Sequence, residues 1–276
     1  MSSADFDRAA YHAAAARGER ISFHSLMDFA HNGKEYHARC IGALPPKEET
    51  RAMFFGRAAH KYILEGREAF DAEYKVADGP INARTGKPFG ADTNAYREWL
   101  AQQDKEIVFN EEAAQIKLMA KAVNEHDFAS QLFANGTAET PLYFHWCGLP
   151  CQSCLDWYHP HFKGGERTSI VDLKTTSDLD QFIRQAEKLR YFTQLAFYRR
   201  AYEENAVLDA DCWLVAVEIP RANGPAPRCK CWRIAESVLR DGEDWCMTQL
   251  NELTKQRNSN VWLDYCEGYS TYEGRY

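Results

Sequence analysis

The chain has 276 residues, of which 45% are hydrophobic and 26% are charged, as in most globular proteins. This length is sufficient to bury a sizeable core, and no apolar run approaches the roughly 20 residues that span a bilayer. The formal net charge of −7 gives no global support for nucleic-acid binding, although a local basic groove can still bind phosphates. The N-terminus has no apolar signal-peptide segment, so we expect a cytoplasmic protein without a membrane partner.

Helical patterns dominate the first half of the chain. The predicted helices cover residues 3–19, 21–42, 49–74, 93–103 and 110–134. Between the third and the fourth of them, residues 78–93 are rich in Gly, Pro, Asn and Asp, which is typical of a loop. We expect residues 1–135 to form the helical N-terminal part of a single domain.

After residue 136 polar and apolar residues alternate, which predicts β-strands. The predicted strands cover residues 139–146, 150–159, 168–176, 211–220 and 228–234, and two further helices cover residues 179–205 and 235–257. This order predicts an α/β fold with a central mixed β-sheet flanked by helices. In that fold a sheet core of residues 136–235 precedes a C-terminal helix and tail of residues 236–276.

The nine cysteines offer one competing hypothesis. Cys147, Cys151 and Cys154 have the C-x3-C-x2-C spacing with which radical-SAM enzymes hold an iron–sulfur cluster. Cys151 and Cys154 are three positions apart on a predicted strand, so their side chains point to opposite faces. Because chelation needs converging thiolates, we expect buried reduced thiols and no iron–sulfur cluster, and a cluster enzyme is kept as the alternative.

Three ionisable residues stand on neighbouring predicted strands. Asp172 and Lys174 are two positions apart and therefore share one face, while Leu173 points into the core. Asp156 lies on the preceding hairpin. A structural salt bridge would explain the Asp–Lys pair, but carboxylates also bind Mg²⁺, and a neighbouring lysine can orient or deprotonate a water molecule. The functional interpretation is metal-dependent phosphodiester hydrolysis.

This arrangement resembles the PD-(D/E)XK nuclease pattern, and flanking residues resemble motifs of its RecB-like branch. Five elements occur in the order of that branch: Gly56-x3-His60, Glu139, Asp156, Asp172-x-Lys174 and Gln194-x3-Tyr198. From about residue 10 to the tail, stretches such as "VDLKTTSDLDQF" and "LRYFTQLAFYRRAY" resemble RecE-type (exonuclease VIII) nucleases of phages and prophages. One departure is clear: the strand before Asp156 is similar to C-[RK]-x-[RK]-x-D, but Gln152 and Cys154 replace its two basic residues.

The resemblance implies a PD-(D/E)XK fold and a Mg²⁺-dependent exonuclease, with Mn²⁺ as a substitute metal. Such an enzyme digests one strand of linear duplex DNA from its 5′ end and leaves a 3′ overhang for a single-strand annealing protein. It forms a homo-oligomeric ring around DNA. A DNA-end binding module without catalysis and an endonuclease of the same fold are the alternatives.

The resemblance also implies roles for individual residues. Asp156, Asp172 and the Leu173 carbonyl would hold Mg²⁺, with His60 as a further ligand, and Lys174 would activate water. The remaining implied site residues are Glu139 for a second metal or water, Gln194 and Tyr198 for positioning, and Ser22, Ser25, Arg57 and Arg190 for phosphate contact. Helix capping and surface salt bridges explain the last four equally well.

Overall fold

The computed structural model describes residues 7–160, 167–206, 209–222 and 224–264. The N-terminal part contains α1 (Arg8–Ala16), α2 (Phe23–His31), α3 (Gly33–Cys40), α4 (Arg51–His60), a π-helical turn (Lys61–Glu65), α5 (Gly66–Glu73), α6 (Asn94–Leu100), α7 (Asn110–Glu125) and α8 (Ala129–Leu132). Two short strands, β1 (Tyr74–Val76) and β2 (Glu106–Val108), pair in parallel beside them. None of the helices in these described ranges is long and apolar enough to cross a membrane.

Three of the predicted N-terminal helices are interrupted. The helix predicted over residues 49–74 is broken by the π-helical turn and by Gly66, whose φ is 88°. The helix predicted over residues 21–42 breaks at Asn32, which is extended and whose side chain accepts the Glu35 N–H at 3.0 Å to begin α3. The helix predicted over residues 110–134 ends where His126 leaves the helical conformation. At Asn32 and at His126 a side chain accepts backbone N–H groups, and these hydrogen bonds offer the backbone an alternative to helical hydrogen bonds.

The central sheet has five strands, which are β3 (Thr137–Trp146), β4 (Leu149–His159), β5 (Thr168–Thr176), β6 (Ala210–Glu218) and β7 (Cys229–Arg233). They lie in sequence order across the sheet. β5 and β6 are parallel, and the other neighbours are antiparallel. The predicted mixed sheet flanked by helices is therefore confirmed, and the third predicted strand has the predicted bounds.

The hairpin of β3 and β4 turns over two residues. Cys147 has a φ of 51° and Gly148 a φ of 77°, the left-handed pair of values that a tight type I′ hairpin turn requires. Trp146 pairs with Leu149 directly beside this turn. The connection is thus one residue shorter than the three residues between the predicted strands, and it fixes the register of the whole hairpin.

Three helices follow the hairpin: α9 (Phe182–Lys188), α10 (Tyr191–Asn205) and α11 (Glu236–Ser259). The prediction of one helix over residues 179–205 is wrong. Arg190 has a left-handed φ of 57°, and the chain changes direction there between α9 and α10. The apolar spacing is similar on both sides of the break, so periodicity alone does not reveal it.

Side chains on the two faces of the sheet form two cores. One core includes Phe197 and Leu214 and packs α2, α10 and α11 against the sheet. The other includes Val171, Leu173 and Val215 and packs α4 and α7 on the opposite face. A Cβ on Gly242 in α11 would lie 2.8 Å from the Cβ of Ala196 in α10. The absence of a side chain at Gly242 therefore allows α10 and α11 to pack closely.

Candidate active site

The candidate site begins where β4 and β5 separate. Their ladder runs from His159↔Ser169 to Trp157↔Val171 and does not continue. At the next position Asp156 Oδ2 accepts the Leu173 N–H at 3.0 Å, so a side chain takes the place of a ladder bond. Because register is set by the paired residues, Asp156 and Asp172 lie on the same face.

Asp172 and Lys174 form a close pair on that face. Lys174 Nζ lies 2.7 Å from Asp172 Oδ1, and Asp172 is completely buried. Lys174 also lies 4.9 Å from the ring centroid of Tyr191, close enough for a cation–π interaction. The other carboxylate oxygen, Asp172 Oδ2, is buried and receives no hydrogen bond from the described residues. A buried oxygen of this kind is costly unless a cation or a donor completes it.

The charges at the site do not balance. Burial raises the pKa of Asp156 to about 6 and the pKa of Asp172 to about 7, although Lys174 opposes both shifts. Burial lowers the pKa of Lys174, but Asp172 and Asp156 outweigh burial and hold that pKa above its usual value. Above pH 7 two buried carboxylates therefore face one ammonium group, which leaves an excess negative charge.

His60, at the end of α4, joins the carboxylates. Its Nδ1 lies 3.6 Å from Asp156 Oδ2, and its ring makes a hydrogen bond to the Leu173 carbonyl. Burial and the Lys174 charge lower the pKa of His60 to about 4. The imidazole is therefore neutral near pH 7, which is the form that binds metals. The π-helical turn begins at the next residue.

These groups suit a hard divalent cation. Asp156, Asp172, the Leu173 carbonyl and a neutral His60 supply mainly oxygen donors, and the excess charge is negative. One buried oxygen has no partner in the part of the chain that the structure describes. Across the described ranges of the chain, no three His, Cys, Asp or Glu side chains form a group that could hold a metal ion by themselves. Binding of a divalent cation would therefore require the Leu173 backbone carbonyl together with the side chains.

Gln194 and Tyr198 approach the carboxylates from α10. Gln194 Nε2 donates to the Tyr198 hydroxyl at 2.7 Å, and both residues are buried. Burial, and then the charges of Asp156 and Asp172, raise the pKa of Tyr198 far above its usual value. The phenol is therefore a neutral hydrogen-bonding group that faces the two carboxylates.

Glu139 lies on β3 across from Asp156. Ala138 pairs with Trp157 and Thr140 with Leu155, while Glu139 between them has a left-handed φ of 48° and interrupts the ladder. Its Oε2 is 3.2 Å from Arg8 Nη2 and accepts a hydrogen bond from Cys154 Sγ at 3.4 Å. Burial raises the pKa of Glu139, and Arg8 partly offsets that shift.

A cleft of about 760 Å³ leads to His60, Lys174 and Gln194. His24 and Tyr191, which were not among the predicted site residues, also line it. Tyr191 precedes Gln194 by three positions on the same helical face, and this spacing was a signal for it. His24 stands between two predicted phosphate ligands, but nothing in its spacing distinguishes it from a surface residue.

The four residues named for phosphate contact have other partners. Ser22 and Ser25 cap α2 reciprocally, since each side chain accepts the backbone N–H of the other at 3.1 and 2.9 Å. Arg57 lines the cleft, but Glu49, Glu73 and Glu106 surround its guanidinium. Arg190 lies over the Trp245 ring at 4.4 Å.

The three cysteines with the cluster-like spacing lie in different environments. Cys147 occupies the hairpin turn, Cys151 is fully buried in a core, and Cys154 donates to Glu139. The eight cysteines of the described residues are free thiols, and Cys266 lies outside those residues.

Two solved structures are similar to this chain. A protein from Eubacterium rectale named "Putative exonuclease" superposes with a TM-score of 0.65 at 16% identity, covering 97% of this chain and 91% of that chain. A phage-related exonuclease from Haemophilus somnus 129PT gives a TM-score of 0.33 at 12% identity over 74% of this chain and 95% of that chain. The first similarity shows a shared fold.

Sequence comparison supplies the family. No curated protein sequence matches the chain. A family model described as "PDDEXK-like domain of unknown function (DUF3799)" matches residues 22–273. This match covers most of the chain, and the chain belongs to that PDDEXK-like family.

Proposed function

We propose that the protein is a Mg²⁺-dependent deoxyribonuclease that degrades linear duplex DNA from its ends. The observation that supports this most directly is the meeting of Asp156, Asp172 and Lys174 at the end of an open cleft. Two buried carboxylates with one lysine, and one carboxylate oxygen without a partner among the described residues, are an arrangement that a divalent cation would complete.

In this proposal Asp156, Asp172, the Leu173 carbonyl and His60 hold the metal. When bound, Mg²⁺ stabilises negative charge on the scissile phosphate and lowers the pKa of a water molecule. Mn²⁺ has similar oxygen preferences and is expected to substitute. Glu139, on the neighbouring strand β3, would contact a second metal or an attacking water molecule.

Lys174 acts as a cation in this scheme. Because Asp172 and Asp156 hold its pKa above the usual value, the ammonium group retains its proton near pH 7. It therefore orients the water and stabilises charge on the phosphate. Tyr191, Gln194 and Tyr198 keep this ammonium and the phosphate in place.

The finer features of the proposal come from the resemblance to RecE-type nucleases. They are 5′-to-3′ polarity, 3′ single-stranded overhangs, a single-strand annealing partner and a homo-oligomeric ring. The name of the Eubacterium rectale protein agrees with exonuclease activity but adds no polarity or partner.

Gly56 gives a test of where DNA lies. A Cβ built on this helical residue meets only Thr175 Oγ1 at 3.8 Å, so the protein itself leaves room for a side chain. We expect Gly56→Leu to fold normally but to raise the KM for linear DNA about tenfold or more, because the added side chain fills the cleft. Ala30→Leu, an exposed change on α2, is the control, and equal KM values for the two variants would contradict this placement.

The activity itself is tested by digestion of end-labelled DNA. Linear duplex labelled at the 5′ or 3′ end, and covalently closed circles, are incubated with Mg²⁺ or with EDTA. Early release of the 5′ label from linear DNA alone, abolished by EDTA, is the expected result. Cutting of circles would favour an endonuclease. Binding without cleavage under any metal would replace the proposal by a DNA-end binding module.

A further inference from the structure

The strand that carries Asp156, β4, contains no lysine or arginine. Gln152 and Cys154 stand four and two positions before Asp156 on this strand. Neither is a cation, and both are engaged with the protein: Gln152 Nε2 donates to the Tyr11 carbonyl at 2.7 Å, and Cys154 Sγ donates to Glu139 at 3.4 Å. The DNA backbone beside Asp156 therefore needs another source of positive charge.

Helix α1 brings a cation to this place. The bond from Gln152 to Tyr11 attaches α1 to β4, and Tyr11 is buried. Arg8, on the first turn of α1, then reaches Glu139, with Nη2 3.2 Å from the same Oε2 that accepts from Cys154. Gln152 thus anchors the helix, and Cys154 lies beside the arginine that the helix carries.

Arg8 differs from the other arginines near the site in its free donors. Its side chain is 34% exposed, and among the described residues Glu139 is its one ion-pair partner, through a single nitrogen. Arg57 is surrounded by three glutamates, and Arg51 pairs with Glu112 and also donates to the Ile107 carbonyl. A guanidinium has five N–H donors in a planar fork, so Arg8 can hold Glu139 and a phosphate together.

We propose that Arg8 contacts the DNA phosphate next to the scissile one and supplies, from a helix, the positive charge that β4 lacks beside Cys154. This inference rests on the proposed nuclease function. Glu139 orients the guanidinium, and Asp156 lies directly across the hairpin from Glu139. Arg8 therefore binds the digested strand and sets its register, while the acids and Lys174 take part in the reaction.

The salt dependence of binding tests this role without relying on cleavage. A blunt, 5′-phosphorylated linear duplex is titrated with the cleavage-deficient Lys174→Ala protein and Mg²⁺ at several salt concentrations. The slope of log Kobs against log salt is negative, and loss of one phosphate contact reduces its magnitude by about 0.9. We expect this decrease, with weaker binding, for Arg8→Gln in that background, and no decrease for Arg8→Lys.

Two further variants separate a phosphate contact from a structural effect. Arg17→Gln makes the same charge change at the other end of α1, where Arg17 pairs with Glu19, and should leave the slope unchanged. Cys154→Lys added to Arg8→Gln should restore the slope, because it returns a cation to the same place. If Arg8→Gln shows no cooperative thermal transition, Arg8→Met, which keeps the aliphatic stem, takes its place.

The outcomes distinguish this inference from the proposed function. A protein that cleaves linear DNA but whose salt slope is the same with and without Arg8 would overturn the role of Arg8 alone. Failure of Cys154→Lys to restore the slope would overturn the claim that the charge of Arg8 acts on DNA at the place beside Cys154. A wild-type protein that neither binds nor cleaves DNA would overturn the proposed function itself.

Discussion

Replacing Lys174 by alanine is expected to slow Mg²⁺-dependent cleavage of linear DNA by about 10²–10⁴-fold. The ammonium group lies 2.7 Å from Asp172 Oδ1 and is the cation nearest to both carboxylates. Alanine removes the donor that orients water and the charge that stabilises the phosphate in the transition state. The metal ligands remain, so the KM for DNA should change less than kcat.

The measurement is a single-turnover cleavage rate with saturating Mg²⁺, accompanied by circular dichroism to verify the fold. Lys230→Ala is a suitable control, because Lys230 is an exposed strand lysine on β7 that lies over Trp232. Its rate should equal that of the wild type. Cleavage by Lys174→Ala at the wild-type rate would show that Lys174 takes no part in the reaction.

Replacing Asp156 by asparagine is expected to abolish cleavage and, without metal, to stabilise the fold. Asparagine keeps an oxygen that can accept the Leu173 N–H but removes one of two buried negative charges. Since each pKa unit corresponds to about 1.4 kcal/mol, the gain at pH 8 is on the order of 1–3 kcal/mol. For a chain of this size that raises the Tm by about 2–4 °C per kcal/mol.

The pH dependence of this stabilising effect follows from proton linkage. Folding raises the pKa of Asp156 to about 6 and of Asp172 to about 7, above the ordinary carboxyl value near 4. Between those values the folded protein binds more protons than the unfolded chain, so its stability falls as the pH rises. The stabilising effect of Asp156→Asn should therefore be small at pH 5 and large at pH 8.

Thermal unfolding in EDTA and in Mg²⁺ at both pH values measures this effect. Mg²⁺ should raise the Tm of the wild type at pH 8 and have much less effect on the variant, because binding to the native state stabilises it. A lower Tm for Asp156→Asn in EDTA at pH 8 would contradict the charge imbalance inferred here.

Much of the sheet and the acidic face can be read from the sequence because strand periodicity is local. Residues 168–176 have the composition of a strand, and the two-residue period of a strand places Asp172 and Lys174 on one face with Leu173 in the core. Helix interruptions are harder to predict. The left-handed Arg190 and the cap at Asn32 depend on backbone geometry that apolar spacing does not encode.

Other features depend on contacts between distant segments. The sequence does not show that Glu49, Glu73 and Glu106 surround Arg57, so Arg57 resembles a free phosphate ligand when read alone. In the same way Arg8 precedes Glu139 by more than a hundred residues, and only the attachment of α1 to β4 brings the two together. The strands β1 and β2 were missed because three residues each give too short a pattern.

The two-residue turn at Cys147 and Gly148 also limits how this protein can change length during evolution. Residues 139–146 and 149–156 form the two arms of the hairpin, and they contain the same number of residues. An insertion in one arm alone would move Glu139 away from Asp156 and, because of the two-residue period, reverse the faces of the residues beyond it. Homologues that retain cleavage should therefore vary at the hairpin tip but keep arms of equal length.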